Sequence, residues 1–173
     1  MPAPGRAGTP STGPDRGLPR LGRVTKFFLI LHIVAAIVAI GPVAVAASMF
    51  PPVARRALAA PGEGDSAATL GVLNRICKVY ALVAIAVPMF GFAAAGVMKV
   101  TGQTWVVVSI VLTAVAAAVL GALVLPRQTA LLSADTATVK GTKQLAMVTG
   151  IFNLLWVAVT VIMIVRPGST LGH

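Results

Sequence analysis

His32 has the widest range of chemistry open to it in this sequence. It lies about two turns past Lys26, inside a long apolar run, and it is the only residue in such a run that titrates near neutral pH. An ionisable group in so apolar a segment is a functional candidate. Three roles fit an imidazole there: a ligand to haem iron or another metal, a proton acceptor, or a neutral ring hydrogen-bonded to a neighbouring helix. Lys26, Lys99 and Arg166 mark the same membrane face, at the borders of the first, second and fourth apolar runs, so Met98 and Met163 fall on the half of the bilayer that holds His32. A His/Met pair is a reasonable axial set for haem. The expectation is therefore that haem, if any cofactor binds, is held by His32 with Met98 or Met163. No dedicated metal site is expected.

The remaining polar residues inside the runs are neutral. Asn153 and Thr149 sit in the last run, Ser109 and Thr113 in the third. Hydrogen bonds between helices are their expected use, at ~1 kcal/mol each, and lining a polar path is the sharper one. No Asp or Glu lies within any run, which counts against proton- or cation-coupled transport, where a buried carboxylate commonly carries the ion. There is no Ser-His-Asp or Cys-His set, no phosphate-binding loop and no run of metal ligands. A non-enzymatic protein is expected. Cys77 is the single cysteine, so no internal disulfide forms. It reads as a small, semi-buried apolar residue.

These residues need elements to position them. Apolar residues make up 57% of the chain and charged ones 10%, against ~25% charged in a soluble domain. Lipid is the natural solvent for such a chain. About 20 apolar residues in a helix cross a bilayer core, and the runs at 27–50, 79–98, 105–125 and 145–165 each suffice. The net charge of +10 does not indicate nucleic acid, because Lys and Arg flank the runs, where they meet phosphate headgroups. Residues 1–26 read as a disordered basic tail, 27–166 as the membrane domain and 167–173 as a short C-terminal tail. The fold class is an all-α membrane protein, a four-transmembrane-helix bundle made of two antiparallel helical hairpins.

Finer features follow. The turn at 99–104 is tight, so the second and third helices are antiparallel neighbours. Pro51 with Pro52, and Pro126, are expected to stop the first and third helices. Ser66 is a candidate cap, and Leu70, Leu73, Ile76, Cys77 and Tyr80 follow helical spacing from there, so the second helix starts outside the bilayer. The fourth is expected to start near Asp135, with Val139, Thr142 and Leu145 on one face. Pro42, beside Gly41, and Pro88 each remove a helical hydrogen bond and favour a kink, fixed or hinged. Ala114, Ala118 and Ala122, with Gly121 beside them, and Gly91 with Ala95, form small-residue rows that let helix backbones approach. They are expected to be packing seams, against a sister helix or a second subunit. Trp105 sits at a helix border and Trp156 deeper. The segments around Pro51 and Pro126, with Arg75 and Lys78 and later Lys140 and Lys143, suggest a weak internal repeat of two hairpins.

Both termini lie on one side. Lys and Arg divide seven to seven between the two sides. Leaving out Arg6 and Arg16, far from the first helix, makes it five against seven and leans toward cytoplasmic loops.

The run from Leu31-His32 to Gly41-Pro42, and the stretch Ala47-Ser48-Met49-Phe50-Pro51-Pro52-Val53-Ala54-Arg55-Arg56, resemble a predicted integral membrane family catalogued as domain of unknown function 2269. More distantly they resemble copper-resistance D type membrane domains. The resemblance covers 25–166. It implies a four-helix fold in a bacterial inner membrane and carries no assigned activity. Copper-type domains would imply metal handling, but this chain lacks their further intramembrane histidines. Three functions remain in view: a structural or accessory membrane component acting through helix packing with itself or another membrane protein, a permease or binding protein for lipid or small hydrophobic molecules, and a redox or metal protein using His32.

Overall fold

The computed structural model describes residues 18–61, 65–133 and 137–168. They form α1 (Leu18–Ala59), α2 (Ser66–Val83), α3 (Ala86–Val97), α4 (Thr104–Ala118), a π-helical segment (Val119–Val124), α5 (Leu125–Leu131) and α6 (Val139–Val165). No strand occurs among the described residues. α2 runs into α3, and α4 runs through the π segment into α5. The result is four helices long and apolar enough to cross a membrane: Gly22–Ala59, Ser66–Val97, Thr104–Leu131 and Val139–Val165. The chain is an all-α membrane bundle of four spanning helices.

The helices pass several points where the sequence suggested stops. α1 continues through Pro51 and Pro52 to Ala59. Phe50 and Ala54, on either side, are buried in the core, and this packing holds the helix on course past the missing N–H groups. At Pro126 the solution is different. The Leu125 N–H bonds the Leu120 carbonyl five residues back, and this wider winding admits the proline ring that follows. The third span then ends at Leu131. α1 also starts earlier than expected, at Leu18 rather than at 27, with a proline in its first turn, where proline is tolerated. Residues 1–17 and 169–173, and with them most of both expected tails, lie outside the described residues, as does Asp135.

The expected start of the second helix holds at Ser66, but Asp65 occupies the cap position, and its side chain makes no cap hydrogen bond. α6 starts at Val139 behind Thr138, whose hydroxyl accepts the Gly141 N–H at 3.0 Å. Thr142 and Leu145 are buried, but Val139 is exposed because it precedes the helix–helix contact. Pro42 leaves α1 unbroken. Pro88 has a larger effect: the helix is interrupted just before it, at Ala84 and Ile85, where the Val87 N–H turns to the Ala84 carbonyl three residues back.

α1 packs along α2 and α3 to make the first hairpin. α6 packs along α4, the π segment and α5 to make the second. α1 also lies on α6, and α2 touches α5, which closes the ring. Phe50, Val43, Cys77, Val124, Leu145 and Phe152 fill the main core. A second, smaller cluster of Ala95, Val100, Trp105 and Val106 sits at the opposite end. Trp105 is buried there rather than lying in the headgroup layer, and the Arg166 guanidinium stacks 5.4 Å above its ring. Trp156 packs edge-on to Phe152. Since lipid supplies no hydrophobic drive, this close packing is what joins the helices.

A polar network lies within the core. The Asn74 amide donates to Gln128 Oε1 at 3.2 Å, and the Gln128 amide donates to Cys77 Sγ at 3.5 Å. Gln128 and Cys77 are fully buried, so the cysteine is deeper than expected. The network ties α2 to α5 and fixes the register of one hairpin on the other. Gln128→Leu strands the Asn74 amide and should cost about 1–3 kcal/mol, whereas Asn74→Leu added to it should recover most of the loss. Thermal unfolding of the detergent-solubilised single and double variants checks this.

Candidate functional site

His32 is half-buried and faces the second span. Its Nδ1–H donates to the Val87 carbonyl at 2.9 Å, since a carbonyl oxygen can only accept. The imidazole lies on Gly91. A Cβ at that position would stand 3.0 Å from Cε1 and 3.1 Å from Nδ1, so only glycine admits the ring without displacement. Gly91 therefore packs as expected, and Ala95, one turn on, is buried in the Trp105 cluster.

The expected methionine partners are elsewhere. Met98 packs on the Trp105 cluster, seven residues past Gly91, which is roughly 10 Å of helix rise. Met163 is half-buried on α6 beside Ile162, which packs on the same cluster. Neither is hydrogen-bonded to His32. Among the described residues, no group of three His, Cys, Asp or Glu side chains converges to hold a metal. The imidazole instead works as a bridge between α1 and the break before Pro88.

The small-residue row of the third span points the other way from expectation for a sister helix. Ala114, Ala118, Gly121 and Ala122 are all exposed, and a Cβ on Gly121 would meet nothing within 4 Å. The inward face belongs to Val106, Ser109, Ala116, Leu120 and Val124, whose larger side chains fill the bundle interior. Ser109 donates to the Trp105 carbonyl of its own helix at 2.8 Å rather than across helices.

The site with unmet polar chemistry lies between α1 and α6. Asn153 donates from Nδ2 to Ser48 Oγ at 3.0 Å, which meets the expectation of an interhelical bond. Thr149 does not. Its hydroxyl is buried with no partner, and so are Asn153 Oδ1 and Trp156 Nε1. These three follow one another at spacings of four and three, so they form a single stripe of α6. Elsewhere in the chain such hydroxyls fold back onto their own helix: Thr129 onto the Leu125 carbonyl at 3.0 Å, Thr160 onto Trp156 at 2.9 Å. Thr149 does not, and it is 3% exposed.

The stripe opens into a cleft of about 270 Å³ lined by Ser48, Pro51, Pro52, Arg55, Thr149 and Asn153 among others. Pro51 and Pro52 have no N–H, so the carbonyls of Ala47 and Ser48 lose their helical donors on this stretch of α1. Arg55 is exposed at the outer end. The cleft thus grades from a cation at the headgroup level to uncommitted hydroxyl and amide groups deeper in. Ser48 and Arg55 escaped the sequence reading as site residues. The available signal was Ser48 standing four residues before Pro52, where a freed carbonyl and a hydroxyl coincide.

Gly91→Ala should lower stability by about 1–3 kcal/mol through crowding of the imidazole. In a His32→Ala background the same change should cost much less, a coupling measurable by a double-mutant thermal unfolding cycle.

In comparisons with known protein families, curated proteins and solved structures, the chain matches none.

Proposed function

We propose that the chain is a non-enzymatic, multi-pass component of a bacterial plasma membrane that acts by packing against another transmembrane helix. The observation that supports this reading is the outward row of Ala114, Ala118, Gly121 and Ala122. It allows close backbone approach, and the bundle itself leaves it uncovered. The row runs into the π segment Val119–Val124, a winding that is rare and often found at functional positions. A second copy of the chain is the simplest partner, since such a flat row pairs with itself about a two-fold axis. Another membrane protein with a similar row is the alternative.

A photo-crosslinking amino acid at position 118 tests it in intact membranes, with position 157 on the lipid-facing side of α6 as control. Adducts of twice the chain's mass at 118 and not at 157 are expected. Ala118→Leu should weaken self-association roughly tenfold, from about 1–3 kcal/mol of overpacking. An adduct to a different protein would replace the second copy with that partner, and adducts to lipid alone contradict the reading.

Cytoplasmic loops are part of the same proposal. Alkaline phosphatase fused after 133 should be inactive, and fused after 166 active. The reverse pattern would invert the orientation.

A further inference from the structure

We infer that the cleft between α1 and α6 is a binding site for a single-chain anionic amphiphile with a hydroxyl group next to its anionic head. Four observations carry this. First, Thr149 Oγ1 and Asn153 Oδ1 are buried without protein partners and both residues line the cleft, so a ligand that hydrogen-bonds them relieves the cost of two unmet polar groups. Second, the groups that need partners are of mixed sense. A threonine hydroxyl donates and accepts, and the leftover end of the Asn153 amide is an acceptor or a donor depending on which way the amide is turned. A ligand hydroxyl, itself both donor and acceptor, satisfies every arrangement. An ester or a methylene does not. Third, Arg55 stands at the outer end of the same cleft. It is seven residues from Ser48, roughly 10 Å along the helix, and a guanidinium at headgroup depth selects a phosphate or carboxylate. Fourth, a cleft of about 270 Å³ between two packed helices takes the head and backbone of one such molecule. Its chain then leaves along the exposed side chains of Met49 and Met147, each next in sequence to a lining residue.

The prolines belong to the site. Both prolines line the cleft, and with no N–H at 52 the Ser48 carbonyl loses its helical donor beside the Ser48 hydroxyl. An anion without an apolar chain has no reason to enter past Arg55. An uncharged amphiphile has no anchor there.

The test uses the full detergent-purified chain, with thermal unfolding followed by tryptophan fluorescence. The probes are 1-oleoyl lysophosphatidic acid, its 2-deoxy analogue lacking the hydroxyl, monooleoylglycerol lacking the anion, and inorganic phosphate lacking the chain. Lysophosphatidic acid is expected to raise the midpoint saturably, and each of the other three to need at least tenfold higher concentration. Thr149→Val should leave the midpoint of the free protein unchanged or higher, because an unpartnered buried hydroxyl is replaced by a methyl, and should weaken the response at least tenfold. Arg55→Gln, at an exposed position, should weaken it similarly. No shift with lysophosphatidic acid overturns the inference. So does an equal response to the 2-deoxy analogue, to monooleoylglycerol or to phosphate. A Thr149→Val protein that is less stable when free, or variants that respond like the wild type, overturn it as well.

Discussion

Hydrocarbon offers no hydrogen bonds, so every polar group within the bilayer has to find its partner inside the protein. That constraint orders this bundle. His32 spans from α1 to the Val87 carbonyl, at the point where Pro88 interrupts the second span. Asn74, Gln128 and Cys77 close a network between the two hairpins. Ser109, Thr129 and Thr160 return their hydroxyls to their own helices. The stripe at Thr149, Asn153 and Trp156 departs from this pattern, and it faces the stretch of α1 that carries two consecutive prolines. Unmet side chains on α6 thus face, across a cleft, a stretch of α1 whose two prolines withhold helical donors.

The arrangement explains the placing of α1. It is the longest helix and packs on α2, α3 and α6, so it contributes to both the His32 bridge and the cleft. Its two ends do different work. The His32 end is tied by a ring seated on Gly91, where a Cβ would crowd the imidazole. The Pro51 end carries the core residues Val43, Ala47, Phe50 and Ala54 on one side and, towards α6, two prolines without donors and Ser48, held by one bond. A well-packed stretch with unused polar capacity on one side is what a ligand site on a scaffold needs.

Much of this was legible in the residues. Runs of about 20 apolar residues bounded by Lys and Arg leave few alternatives to spanning helices, and the bilayer thickness sets their length. The short 99–104 turn makes the second and third spans antiparallel, yet each packs mainly on its other neighbour, α2 and α3 on α1 and α4 on α6. The prolines were misleading because a helix stop is judged by the lost hydrogen bond alone. At Pro51 the burial of Phe50 and Ala54 outweighs that loss, and at Pro126 a π turn accommodates it. The small-residue row left its partner open, a sister helix or a second subunit. The third span has alanines on several faces, and Ala116 turns inward while Ala114 and Ala118 turn outward. Which face is inner depends on how Leu120, Val124 and Trp105 fill the interior, a matter of tertiary packing. Gln128 and Asn74 are 54 residues apart, and no local pattern pairs them.

The most direct test of the account is a spin-label scan of α6, one position at a time from 146 to 160, in lipid bilayers with oxygen and a water-soluble nickel complex as relaxation agents. The account predicts oxygen accessibility rising and falling with helical period, high at Leu154 and Val157 and low at Val148 and Phe152. It also predicts a distinct nickel response at Ala146 and Gly150, which line the polar cleft. An oxygen profile without helical period, or cleft positions as inaccessible to nickel as Leu154, would contradict it.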